Sequence, residues 1–154
     1  MDRVLVLTAV AVLVVALVVG GRVLAARRLR RLRGAAPAEL WAALESEPDG
    51  RPTVVAFSTP SCIACHTTQR PALETLQARA DGGVRVLHVD VAARPEVARM
   101  FGVLTVPATT LLDERGAVVA ANQGFATAET LAGQLGLSTG VRWTGPSCPR
   151  DTSR

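Results

Sequence analysis

The chain has 154 residues, enough for one ordinary domain and an appendage. Its formal charge is +4 and its pI about 10.1, but the charge is spread unevenly. Residues 1–36 hold seven Arg against one acid and residues 37–154 ten Arg against twelve acids, so the body of the chain is slightly acidic, which speaks against nucleic acid as a partner.

The appendage comes first. Val4 to Gly21 reads VLVLTAVAVLVVALVVGG, 18 residues without a charge. As a helix rising about 1.5 Å per residue it reaches roughly 27 Å, close to the ~30 Å of a hydrocarbon core. Arg22 can snorkel, which lets Val23 to Ala26 lengthen the span. The segment has no polar face, so it is expected to cross a membrane and not to lie on one. A cleaved signal peptide is the alternative. It calls for a positive n-region and a short apolar run, whereas here Arg3 is offset by Asp2 and the run is long.

One Arg precedes the span and six follow within about a dozen residues. The positive-inside rule then predicts a single pass through the plasma membrane with the C-terminal domain cytoplasmic, the extracytoplasmic side being the alternative. The cluster RRLRRLR (27–33) also suits anionic head groups, so membrane lipid is an expected partner. The expected division is an anchor at 1–26, a basic juxtamembrane linker at 27–36, a domain at 37–137 and a flexible tail at 138–154.

Within the domain, GAAP (34–37) is a joint, and Pro37 opens a helix that AELWAALES continues to Ser46. ESEPDGRP (45–52) has turn chemistry. Thr53 to Ser58 is a buried type of strand, and Thr59-Pro60-Ser61 leads from it to Cys62. A helical pattern runs from Ile63 to about Ala80, stopped by Asp81-Gly82-Gly83. Val84 to Val89 is a second strand, Arg94 to Phe101 a short helix, Ala108 to Leu112 a third strand. DERG (113–116) is a hairpin turn, Ala117 to Ala121 its returning strand, and Thr127 to Leu135 the last helix. The tail is rich in Pro, Gly, Ser and Thr, with Trp143 a candidate docking residue. The order αβαβαββα predicts a mixed α/β sheet covered by helices on both faces: one parallel crossover pair, then an antiparallel hairpin.

Cys62-Ile63-Ala64-Cys65-His66 carries the chemistry. Cys62 falls where a strand gives way to a helix N-terminus, whose free N–H groups and dipole favour negative charge. A thiol so placed ionises more readily than the ordinary value of about 8.5 allows. Cys65, three residues on, shares the helix face and is the more buried sulfur. Cys62 is therefore expected to attack a substrate disulfide and Cys65 to resolve the mixed disulfide. His66 is either a solvated side chain or, in its cationic form, a modulator that depresses the thiol pKa values.

Phe57 to Cys65 after a hydrophobic strand resembles the active-site segment of the thioredoxin family. Val103-Leu104-Thr105-Val106-Pro107 before a strand resembles that family's cis-proline segment, and Asp113 to Gly116, the hairpin and Gly124 its C-terminal half. The resemblance covers roughly residues 38–137. It implies a thioredoxin-like fold, a cis Pro107 packed beside Cys62, and a Val106 whose backbone binds substrate peptide. The chain departs from the family in several places. Ala56 stands where a buried acid is common, six residues before the first cysteine. Ser58 and Ser61 replace Trp, and Ile63-Ala64 replaces Gly-Pro. Pro71 comes six residues after Cys65, one later than usual, and no first strand precedes Pro37.

Other readings of the motif remain. Cys-x-x-Cys-His is also a haem c attachment sequence, but a second axial ligand would have to be Met100 or His88, and haem c domains are mostly helical. His88 reads as a core or edge histidine of its strand. A zinc site would draw on Cys62, Cys65, His66 and remote Cys148, the last otherwise a spare thiol. Neither metal nor other cofactor is expected. The expected function is that of an enzyme, a membrane-tethered thiol–disulfide oxidoreductase. Its partners would be protein disulfides or dithiols and an unidentified redox donor or acceptor. The alternative is a redox-inactive, membrane-anchored docking module that keeps the fold.

Overall fold

The computed structural model describes residues 2–137. The expected tail, with Trp143 and Cys148, lies outside the described residues. The elements are α1 (Asp2–Gly34), α2 (Pro37–Ala43), β1 (Thr53–Ser58), α3 (Arg70–Arg79), β2 (Arg85–Asp90), α4 (Pro95–Met100), β3 (Ala108–Leu112), β4 (Val118–Gln123) and α5 (Ala128–Gln134). A π-helical turn, Cys65–Gln69, precedes α3.

The strands form one sheet in the order β2-β1-β3-β4. β1 and β2 are parallel, with Val54 beside Val86 and Ala56 beside His88. β1 with β3, and β3 with β4, are antiparallel. The predicted mixed sheet with its crossover and hairpin is present. The first pair is parallel because a helix connects it, and the last antiparallel because a tight turn does. In that turn the Asp113 carboxylate accepts from the Arg115 and Ala117 amides, both at 2.9 Å, and Gly116 takes a φ of +78°.

Alternation along β1 builds two cores. Val55 and Phe57 face one side, where they meet Leu40 and Trp41 of α2, Val97 of α4 and Phe101 at the end of that helix. Val54 and Ala56 face the other, against Leu73 and Leu76 of α3 and Leu131 of α5. The Phe57 and Phe101 rings lie 5.4 Å apart and tilted, a favourable aromatic geometry.

Three local differences from expectation have physical causes. First, the helix from 63 to 79 is not uniform. Near its start it widens into the π turn, where the Arg70 amide reaches back to the Cys65 carbonyl. Pro71 has no N–H to give, so a regular bond is lost there in any case, and the widened turn absorbs the break. Second, α2 ends at Ala43, and Glu45 turns with a positive φ of 52°. Third, α1 continues through the basic cluster to Gly34. Leu32 is buried there, Leu29 and Ala35 pack beside it, and Arg33 donates to the Val119 carbonyl of edge strand β4 at 2.5 Å.

Residues Leu5–Gly34 of α1, with a mean hydropathy of 2.5 in the most apolar stretch and none of that stretch buried, are long and apolar enough to cross a membrane. A signal sequence passes the same test.

Candidate active site

β1 sends the chain out at its C-terminal end, and a turn brings it back as a helix. The Cys62 amide donates to the Thr59 carbonyl at 3.1 Å, closing that turn. Helical conformation begins at 63, and the Cys62 carbonyl accepts from the amides of Cys65 (3.2 Å) and His66 (3.4 Å). Cys62 is thus the residue from which the helix starts.

Cys62 and Cys65 are joined in a disulfide, with Cα atoms 5.3 Å apart. The Cys65 amide also points at the Cys62 sulfur, 3.1 Å away. Cys62 is half-buried, whereas Cys65 is only 6% exposed. One sulfur is therefore open to a partner and the other is sheltered. A thioredoxin-like fold holding such a disulfide supports a role of the thiol–disulfide oxidoreductase type.

The Val106–Pro107 peptide bond is cis. Register shows where this segment lies. Phe57 pairs with Ala108, so the end of β1 and the start of β3 share one end of the sheet. The Cys62 loop and Val106–Pro107 both emerge there. Pro107 is buried, and its carbonyl accepts from Gly124 at 2.8 Å. Val106 is half-buried against the core. Ile63 and Leu104, in these two loops, are 76% and 81% exposed.

His66 is exposed, and its Nε2–H donates to the Pro60 carbonyl at 3.2 Å, which ties the helix start back to the loop. Sequence reasoning did not single out Gln69. Its side chain is buried, donating to the Ala126 carbonyl at 3.1 Å and accepting from the Ala126 amide at 3.0 Å. A polar residue one turn after the second cysteine, in an otherwise apolar stripe, was the available signal.

Beneath the helix start is a recess of about 30 Å³, lined by Ala56, Ser58, Cys65, Gln69, Arg70 and His88 among others. Solvent reaches one side of His88. Burial of the other side, and then the Arg70 guanidinium, lower its pKa from the ordinary 6.5. Among the described residues, no three His, Cys, Asp or Glu side chains are grouped to hold a metal ion.

Residues 41–137 match the family model of a thioredoxin-like domain. No curated protein matches the chain by sequence. Solved structures are similar at low identity. Thioredoxin-2, described as a component of the malaria parasite's protein secretion machinery, is 24% identical with a TM-score of 0.52 over 56% of this chain and 82% of its own. Chloroplastic thioredoxin z is 22% identical with a TM-score of 0.52 over 67% of this chain and 89% of its own. A further malarial protein is 23% identical with a TM-score of 0.52, covering 58% of this chain and 99% of that one. At these identities the neighbours speak to the fold. The family model spans more than half of the chain, and the strand–Cys-x-x-Cys–helix junction lies inside the match. This chain belongs to the thioredoxin-like domain family.

Proposed function

We propose that the protein is a membrane-tethered thiol–disulfide oxidoreductase that exchanges disulfides with protein substrates through Cys62 and Cys65. The observation that carries this reading is the disulfide itself, its outer sulfur at a helix start and its inner sulfur sheltered. In the reduced protein the Cys62 thiolate attacks a substrate disulfide, and Cys65 then displaces the substrate from the mixed disulfide. The backbone of Val106, next to cis Pro107, offers an extended substrate strand its hydrogen bonds. The exposed Ile63 and Leu104 offer that strand apolar contact, which favours a protein over a small disulfide.

In this reading residues 1–26 anchor the domain in the plasma membrane, 27–36 form a basic link beside anionic lipid, and 37–137 carry the chemistry. The six Arg after the span favour a cytoplasmic domain. An unidentified redox partner must reset the pair, an electron donor where turnover leaves it oxidised and an acceptor where turnover leaves it reduced.

The test is reduction of an insulin-like disulfide by the full chain in detergent, with a dithiol as electron source. Turnover that vanishes in a folded Cys62→Ser variant is expected. Wild-type protein without turnover under any donor would leave the docking-module reading in its place. Labelling of intact cells with a membrane-impermeant maleimide reads sidedness, and strong labelling overturns the cytoplasmic assignment.

A further inference from the structure

The resolving sulfur has a difficulty that Cys62 does not share. Cys65 must be a thiolate to attack, yet it is only 6% exposed, and burial favours the neutral thiol. A base beside it would speed the loss of its proton near neutral pH. No carboxylate lines the recess that Cys65 opens onto.

His88 lines that recess. It sits on β2 opposite Ala56 of β1, and residues paired in register project to the same face of a sheet. That face is the one α3 covers, because Val54, Ala56 and Val84 belong to the core with Leu73 and Leu76. The small Ala56 side chain leaves the space open. A space of about 30 Å³ is large enough for one water molecule, and Ser58, Cys65 and His88 are among the residues that line it.

We infer that His88 is the proton acceptor for Cys65 during resolution, working through one water across this recess. The inference rests on the disulfide-exchange reading above. The Cys65 proton passes through the water to the neutral imidazole. The Cys65 sulfur attacks the Cys62 sulfur of the mixed disulfide and forms the Cys62–Cys65 bond. The bond from Cys62 to the substrate breaks, and its electron pair leaves on the substrate sulfur. The protein dithiol loses two electrons and the substrate disulfide gains them. The imidazolium then returns its proton to the departing thiolate or to solvent.

The surrounding charges fit. Arg70 and His66 face the recess from the helix side, and Asp90 follows His88 by two residues on its own strand. Burial and then the Arg70 guanidinium lower the pKa of the ring, which leaves its lone pair open to a proton and lets it release that proton again. His66 is a poorer candidate, because its Nε2–H is already committed to the Pro60 carbonyl.

The experiment mixes the reduced full chain in detergent with an aromatic disulfide that releases a coloured thiolate, 5,5′-dithiobis(2-nitrobenzoate). Attack by Cys62 releases the first thiolate and resolution by Cys65 the second, so the two steps are read separately. In His88→Asn the first phase should stay unchanged. The second should slow by at least about tenfold near pH 7, toward the roughly hundredfold usual for a positioned base. Its rate should then rise only at the higher pH where the thiol ionises unaided. Ala56→Asp in the His88→Asn background places a carboxylate in the same recess and should restore the second phase. A second phase in His88→Asn with the wild-type rate and pH profile would overturn the inference while leaving disulfide exchange intact. Absence of the first phase in wild-type protein would overturn both.

Discussion

The amide of Cys65 lies 3.1 Å from the sulfur of Cys62, so the start of the helix directs an N–H at the outer sulfur of the pair. An N–H kept in that direction on reduction would favour a thiolate at Cys62. Cys62 is also the more accessible sulfur. Near neutral pH, Cys62 of the reduced protein should alkylate at least about tenfold faster than Cys65, since reactivity follows thiolate fraction and access. Timed iodoacetamide labelling read by peptide mass spectrometry checks this. Equal rates would contradict the division of roles.

Gln69 spans to Ala126 across 57 residues of sequence, using both ends of its amide. Gln69→Leu would leave the Ala126 amide and carbonyl without their partner in a buried place. The loss should cost about 2–3 kcal/mol, the scale of stranding buried polar groups. Chemical denaturation of the two proteins gives the difference, and a change under about 0.5 kcal/mol would show that another partner substitutes.

Gly116 has φ +78°, and a Cβ added there would run into the Trp41 indole nitrogen. Gly116→Ala is therefore strained in its backbone and blocked in its side chain. It should destabilise by about 1–3 kcal/mol. Adding Trp41→Leu should make the Gly116→Ala cost smaller than it is alone, because the collision is gone while the backbone strain stays. A double-mutant cycle from thermal melts measures that coupling.

Leu32 is the point where α1 enters the domain core, at 4% exposure. Leu32→Ala should cost about 2–4 kcal/mol, as other core truncations do. It should also loosen α1 from β4, speeding protease cleavage around residues 34–36. Limited proteolysis in detergent micelles reads both effects. Unchanged cleavage would mean that the helix end contributes no hold on the domain.

His88 sets a direction for the pH dependence of stability. Its pKa in the folded protein is lowered by burial and by Arg70, so the unfolded chain binds its proton more tightly. Stability should fall as pH drops from the ordinary 6.5 through the lowered value, and hold steady above 6.5. In His88→Asn this acid-side slope should be smaller. Urea titrations at a series of pH values would show it, and parallel profiles for the two proteins would reject it.

Much of this protein is legible along the chain. Apolar runs of strand length, helical spacing and Gly-marked stops locate β1 through α5, because each depends on neighbours a few residues away. The same holds for Cys62 and Cys65, whose spacing alone puts two sulfurs within reach. The apolar, uncharged run of α1 is equally local. What the chain did not disclose are relations that only sheet register and helix docking create. Ala56 meets His88 because β1 and β2 pair in one register, and a shift of one residue would turn His88 to the opposite face. Gln69, the last residue of the π turn, is buried where its amide meets the Ala126 backbone, 57 residues away. Leu32 is buried because the end of a membrane-type helix finds β4. Residue spacing carries the period of each element. How the elements are set against one another is decided by the packing of groups far apart in sequence.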